Sequence, residues 1–406
     1  MNFSVWDLPG PESFASNIAN DIRIGRNVFL LLPEIVPDGL YEAIKKKLDK
    51  DRITLERLSA CQISQSSPIY DLHQVYNTEK IKDGDAFCIY SLCQSEKFRS
   101  RVIWLDDVSQ QTSKKQEWYD FFRQYSVACG QQNLIDRSLF IIPIYGKHTH
   151  DSFPAENLLT HHWFWGKITI LDMQIFASKF LGSRQDSFLL NRLFINIITA
   201  LSGYDLLAAY KLCQVTILDE SEIINSLKSL ATERTWHAPI QEFWGEIDNF
   251  TKTIVSKTGP NKPNHSLMDL WSCGILDIID GRIIISPVAE IARDNLMEIR
   301  QRIWRGHVQT LLPIVDEYRL KVITYLEENY GSALTFLNDH ENEILEIGKI
   351  KYHIESNPKI QKRVDRNLRN FIRLLSRVRN DLAHLKPISL EIINRLENLE
   401  NIFCKI

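Results

Sequence analysis

The chain has 406 residues, 44% hydrophobic and 24% charged, with a formal charge of −3. That length allows two to four domains with a real core, the composition argues against global disorder, and a near-neutral total still leaves room for strongly charged local patches. Its seven cysteines are scattered without a C-x-x-C pair, which argues against a disulfide framework or a zinc knuckle and suits a reducing compartment.

The opening MNFSVWDLPGPE lacks a basic then apolar leader, and no later run nears the roughly 20 apolar residues that span a bilayer. A cytoplasmic protein without membrane partners is expected. ESFASNIANDIRIG reads as a helix closed by Gly25, NVFLLLP as an apolar strand stopped by Pro33, and LYEAIKKKL as a helix. AFCIYSLC, RVIWLD and SLFIIPIYG read as further short apolar strands, with a helix near KKQEWYDFFRQYSVA between the last two. Uninterrupted apolar strands alternating with helices predict a parallel sheet covered on both faces.

From about 157 to 255 the spacing turns helical, in HHWFWGKITILDMQIFASKFL and LNRLFINIITALSGYDLLAAYKL. Adjacent His161 and His162 would face different sides of a helix, and His148-x-His150 lacks a third ligand, so no metal site is predicted. SKTGPNKPNHS is the clearest linker. SLMDLWSCGILDIIDGRIIISPVAEIA then reads as a helix and a hairpin turning at Asp280-Gly281, the pattern of a winged helix. Only Arg282 and Arg293 lie nearby as basic groups, so a rigid spacer is weighed beside DNA binding. Residues 300 to 406 are helical in pattern, punctuated by Pro358 and Pro387.

The first strand enters a turn and a helix where a phosphate-binding loop would sit. That loop needs glycines, so that backbone N–H groups close on phosphates, followed by Lys and Ser or Thr. Here the residues are PEIVPDGLYEA: two prolines lack donors, and Glu34 and Asp38 repel phosphate. RVIWLDDV places Asp106-Asp107 after four apolar residues, like a magnesium-holding Walker B strand or simply a core strand ending in a polar turn. The arrangement resembles a degenerate member of the STAND/AAA-like P-loop ATPases over about the first 290 residues. The resemblance implies a P-loop-like α/β domain at 1–156, a helical lid-like domain at 157–258 and a winged-helix-like domain at 259–300. Without the phosphate loop, neither ATP hydrolysis nor a cofactor is expected.

NPKIQKRVDRNLRNFIRLLSRVRNDLAHLKP follows. Val364, Leu368, Phe371, Leu375, Val378 and Leu382 recur every three or four residues, one apolar stripe on a helix. Between Lys359 and Lys386 stand nine Lys/Arg against two Asp, a net +7. Arg363, Arg366, Arg369, Arg373 and Arg377 recur on another face with few acids interleaved, which points to a phosphate-rich partner such as RNA or to an acidic face elsewhere in the protein. Arg379 falls beside Leu375, Val378 and Leu382 instead, about 140° around an ideal helix from His384. A guanidinium there needs a partner. An intramolecular carboxylate, such as one from Glu341-Asn342-Glu343, answers that need; so does a phosphate in a cleft between two copies of the helix.

Metal-free RNA cleavage needs a proton shuttle and a group that holds the developing phosphate charge, roles open to His384 and Arg379, with Asn380 able to orient either. RNDLAH, ending one helix before the shorter ISLEIINRLENLENIF, resembles the Arg-x4-6-His motif of HEPN domains. The resemblance covers about 305–406 within an all-α domain at 301–406. It implies Arg379 and His384 as a catalytic pair with Asn380 between them, and homodimers or hetero-oligomers formed through the C-terminal helices. Arg302 and His307, in RIWRGH, match the same spacing beside Trp304 without a basic stripe, and are set aside as a chance copy. Together these features predict a component of a prokaryotic antiviral or conflict system: a HEPN-like, metal-independent endoribonuclease regulated by an inactive ATPase-like module. The alternatives are a non-catalytic adaptor holding a partner effector of the same system, and a nucleic-acid-binding regulator. They diverge at Arg379, which meets substrate in one case and an internal carboxylate in the other.

Overall fold

The computed structural model describes residues 3–63, 65–78, 88–111, 113–182, 187–216, 219–236, 261–331 and 345–403. The described chain forms two compact units, one from residues 1–172 and 245–286, the other from 173–244 and 287–406. Among the described residues no helix is long and apolar enough to cross a membrane.

The first unit is a five-stranded, wholly parallel sheet in the order β2-β3-β4-β1-β5. Its strands are β1 (Asn27–Leu32), β2 (Leu55–Ser59), β3 (Val102–Asp106), β4 (Leu139–Tyr145) and β5 (Leu159–Trp163). Helices α1 (Pro9–Arg23), α2 (Leu40–Asp49), α3 (Ala60–Ile63), α4 (Pro68–Val75), α5 (Ile89–Gln94) and α6 (Lys115–Gly130) accompany it. All six residues of β1 are buried, as a central strand covered on both faces requires. Phe29 contacts Tyr119 and Phe122 of α6, while Phe14 of α1 meets His162 and Phe164 on the opposite face. Pairing of β3 with β4 stops at Trp104↔Ile141, short of Pro143, which has no N–H to donate.

Three elements differ from expectation. The described part of AFCIYSLC, from Cys88 onward, is helix α5, its first turn fixed by a reciprocal Cys88–Ser91 cap. β2 is the half-exposed edge strand LERLS, too polar to stand out as an apolar run. HHW closes β5, so His161 and His162 point to opposite faces of a sheet: His161 stacks on Phe29, and His162 Nε2 lies 2.6 Å from Asp21.

Of the linker SKTGPNKPNHS, residues 256–260 lie outside the described residues, and its last two residues already begin a helix. The helix and hairpin after it form as expected. In chain order the next helices are α7 (Ile170–Leu181), α8 (Phe188–Ser202), α9 (Leu206–Cys213), α10 (Glu220–Glu233) and α11 (His265–Ser272).

 In the first unit α11 is followed by the antiparallel hairpin of β6 (Leu276–Ile279) and β7 (Arg282–Ile285). Asp280 and Gly281, at φ +47° and +79°, make the tight turn. This helix and hairpin pack within the sheet unit: Trp271 contacts Trp163 and Trp165, and Gly166 N–H donates to Asp277 Oδ1 at 2.9 Å.

The second unit is helical. Besides α8, α9 and α10 it contains α12 (Pro287–Ala292), α13 (Leu296–Tyr330), α14 (Ile347–Ser356), α15 (Pro358–Arg363), α16 (Arg366–Ala383) and α17 (Leu390–Phe403). The 35-residue α13 crosses α8 at Gly306, where a Cβ would stand 2.6 Å from Ile197 Cα. Asn196 Nδ2 donates to Thr310 Oγ1 at 2.8 Å beside that crossing. The predicted apolar stripe is buried throughout, but Val364 falls at the C-cap of α15 and the rest on α16, because Asp365 accepts the N–H groups of Asn367 and Leu368 and starts α16 afresh.

Two outcomes follow. Gly306→Ala forces backbone against backbone and should cost about 2 kcal/mol or more, read as a lower urea midpoint with an unchanged slope. Asp277 is buried, and burial pushes its carboxyl up to about 7 against the opposing pull of two backbone N–H groups and Lys167. Its folded pKa lies above the unfolded one, so its contribution is full below pH 4 and is lost as pH rises to 7, at up to about 1.4 kcal/mol per pH unit. Asp277→Asn should flatten that part of the stability–pH profile in urea titrations.

Candidate functional site

Two places carry the residues singled out by sequence. The first is the turn leaving β1 in the sheet unit. Glu34 N–H, one of the first donors after the strand, is spent on Ser272 O at 2.7 Å. Ile35 and Glu34 are packed against the glycines at 274 and 146, where added Cβ atoms would lie 3.2 and 3.5 Å from them. Asp38 O accepts Trp6 Nε1 at 2.8 Å, and Gly39 opens α2 at φ +92°. The turn therefore spends its first N–H on protein, leaves the Glu34 and Asp38 carboxylates exposed where phosphate would be repelled, and lacks the Lys–Ser/Thr pair that would hold phosphates.

At the end of β3, Asp106 accepts Arg57 Nε at 2.6 Å and Trp104 Nε1 at 2.7 Å, and this pairing raises the Arg57 guanidinium above its usual range. Asp107, at φ +66°, accepts Ser59 Oγ at 2.6 Å. A carboxylate already neutralised by arginine is a poor magnesium ligand, so the residues at this strand end do not fit a nucleotide–magnesium group.

The second place is the C-terminal end of α16. Arg379 Nη2 donates to both oxygens of Glu346 at 3.0 Å. Glu346 caps α14, just beyond the acidic segment Glu341-Asn342-Glu343, which lies outside the described residues. The pair stands at a cavity of about 610 Å³ with Leu312, Pro313, Asp316 and Arg319. Asn380 lines a different, more polar cavity of about 490 Å³ with Lys351, Arg373, Arg377 and Asp381. His384 is exposed and lines neither. Adjacent positions on one helix thus open into separate spaces, as the angle between them dictates.

Main-chain bonds fix this helix end. Lys386 N–H reaches Asp381 O at 2.9 Å and Leu385 N–H reaches Leu382 O at 3.2 Å, a Schellman cap with Leu385 at φ +59° where glycine is usual. His384 is the cap residue through its backbone alone, donating to Asn380 O at 3.0 Å.

Of the basic row, Arg363, Arg366, Arg373 and Arg377 are exposed, and Arg369 is half-buried with its Nε unpartnered. Arg363 lies on α15 and the others on α16. Arg373 pairs with Glu355 at 2.5 Å and Arg377 with Asp381 at 3.6 Å, whereas Arg363 and Arg366 meet no carboxylate among the described residues. Glu355 is the acid that the sequence argument missed; it faces the row from α14, 18 positions earlier, beyond the reach of any i,i+4 pattern.

The second copy of the motif is tied wholly into packing. Arg302 is buried, bonded to Glu298 Oε1 at 2.9 Å and Leu201 O at 3.1 Å, where it satisfies the end of α8. His307 Nδ1 accepts Ile388 N–H at 3.2 Å, and burial pushes its imidazole down to about 4. Trp304 Nε1 donates to Leu382 O at 2.8 Å, inside RNDLAH.

No protein-family model matches the chain, and no curated protein does. Three similar solved structures illustrate the level of likeness. A RuvB variant from Thermotoga maritima is 11% identical at a TM-score of 0.35, covering 72% of this chain and 97% of that one. Cdc6p from Pyrobaculum aerophilum is 12% identical at 0.32, covering 73% and 94%. A DNA replication initiation factor is 11% identical at 0.28, covering 91% and 93%.

Leu385→Gly should stabilise the second unit by about 1 kcal/mol by removing the left-handed strain, read as a raised urea midpoint. Glu346→Gln, at an ion pair half open to solvent, should change stability by no more than about 0.5 kcal/mol.

Proposed function

We propose that this chain is a non-hydrolysing scaffold built on an ATPase-like α/β fold, an adaptor that works by holding a partner protein. The observation that carries this reading is the engagement of Arg379 by both oxygens of Glu346, which occupies the group that a phosphate would need. The Glu34 N–H and the Asp106 carboxylate, both taken up by protein partners, fit a sheet unit that has a structural task. The partner suits a prokaryotic antiviral or conflict system, in which the scaffold would present an effector.

A second reading is a HEPN-like, metal-independent endoribonuclease. It draws on the exposure of His384 and Asn380 and on the two arginines, Arg363 and Arg366, without a carboxylate partner. In that reading RNA lies along the basic row, and a two-fold dimer through the C-terminal helices draws Arg379 from Glu346 toward the partner's scissile phosphate.

RNA cleavage in EDTA by the wild type, Arg379→Ala, His384→Ala and Glu346→Gln separates the two. The adaptor reading expects no cleavage above background from any of the four. EDTA-resistant cleavage that both Arg379→Ala and His384→Ala reduce at least about 100-fold overturns it.

A further inference from the structure

The sheet unit contains a cavity of about 320 Å³ that is lined by none of the residues of the turn after β1. It opens on the face of the sheet that carries Leu31 and His161, opposite the face on which α1 packs. Its position, beside the later residues of β1 and β5, is where open parallel sheets bind ligands. The volume falls in the lower part of the range of small-molecule sites.

Its lining has a consistent chemistry. Phe153 and Trp163 offer flat apolar walls, with Leu31 and Met268. The one carboxylate in the lining, Asp151, is neutralised by Lys115 Nζ at 2.9 Å and Tyr119 OH at 3.1 Å. Lys262 is exposed, pairs with no carboxylate among the described residues, and brings a positive charge to the cavity. Three imidazoles share the lining, His150, His161 and His265, and His150 faces Asp269 at 3.3 Å. Burial pushes the His161 imidazole down against a backbone hydrogen bond at Pro154, and the charges of His162 and Lys262 push the same way as burial. Among the described residues no group of three or more His, Cys, Asp or Glu is placed to hold a metal ion.

We propose that this cavity binds a small aromatic anion, its ring against Phe153 and Trp163 and its acidic group at Lys262. A free ammonium at the mouth of an aromatic-walled space gives a negative group its partner, while the walls recover the hydrophobic contribution of the ring. A neutral ring gains only the second, and a bare anion only the first.

Saturation-transfer NMR and calorimetry on the full chain test this, with 5′-AMP and salicylate as charged aromatic probes, adenosine and benzyl alcohol as neutral counterparts, and inorganic phosphate as the ring-free anion. At least one charged probe should bind about tenfold or more tightly than its neutral counterpart and than phosphate. Lys262→Glu, at an exposed position, should weaken that binding about tenfold or more, and Met268→Trp should block it by filling the cavity. Circular dichroism and the thermal midpoint confirm that each variant is folded. The proposal fails if neither charged probe saturates by about 5 mM, if neutral probes or phosphate bind as tightly, or if Lys262→Glu leaves binding unchanged. A misfolded Met268→Trp leaves the Lys262→Glu comparison to decide.

Discussion

A central parallel strand has no solvent face, and in this chain that constraint falls on β1. Its six residues are buried, and even the polar residue that starts it is absorbed into the core. Asn27 is fully buried; its Oδ1 accepts Phe140 N–H at 2.9 Å, and its main-chain N–H donates to Leu158 O at 2.8 Å. One side chain thereby ties the starts of β1 and β4 together, while the adjoining backbone ties β1 to the start of β5. Leaving Asn27 unsatisfied would cost more than the bonds themselves contribute, because a buried amide without partners has lost its water for nothing in return. With β1 fixed, α6 must cover one face and α1 the other. The turn at its far end then closes against the end of α11 through Glu34 and Ser272.

Much of this architecture was legible in the residues. The runs NVFLLLP, RVIWLD and SLFIIPIYG announced buried strands because nothing in them suits water, and Asp280-Gly281 announced the hairpin because both positions turn with positive φ. The misreadings have a common physical origin. β2 and β5 are the edge strands, so LERLS and LTHHW carry polar residues that mask the strand signal. AFCIYSLC is apolar enough for a strand, but Cys88 and Ser91 supply a helix cap that hydrophobicity alone does not register. The stripe from Val364 to Leu382 was read at its correct spacing, yet Asp365 begins a new helix inside it.

At the candidate sites, sequence gave the right list of polar groups without their partners. Arg379 was recognised as a guanidinium on the flank of an apolar stripe and in need of a counter-charge. The carboxylate that meets it comes from position 346, on the far side of a chain reversal that no local pattern encodes. The same holds for Asp106, whose partner Arg57 lies on the neighbouring strand, brought alongside by the pairing of β2 with β3. Local periodicity fixes which way a side chain faces; long-range pairing decides what it finds there. RIWRGH makes the contrast plain, since the same spacing as RNDLAH serves the crossing of α13 and α8.

The cap at the end of α16 bears on how this sequence can drift. His384 completes the helix with its backbone, and its imidazole is exposed, so nearly any residue could stand there at little cost to the fold. Leu385 is the reverse: its left-handed backbone makes glycine or asparagine the expected occupants over long divergence. In a set of distant relatives, position 385 should therefore wander toward small and polar letters under structural pressure alone. A histidine retained at 384 across the same set would have to be kept by something other than folding.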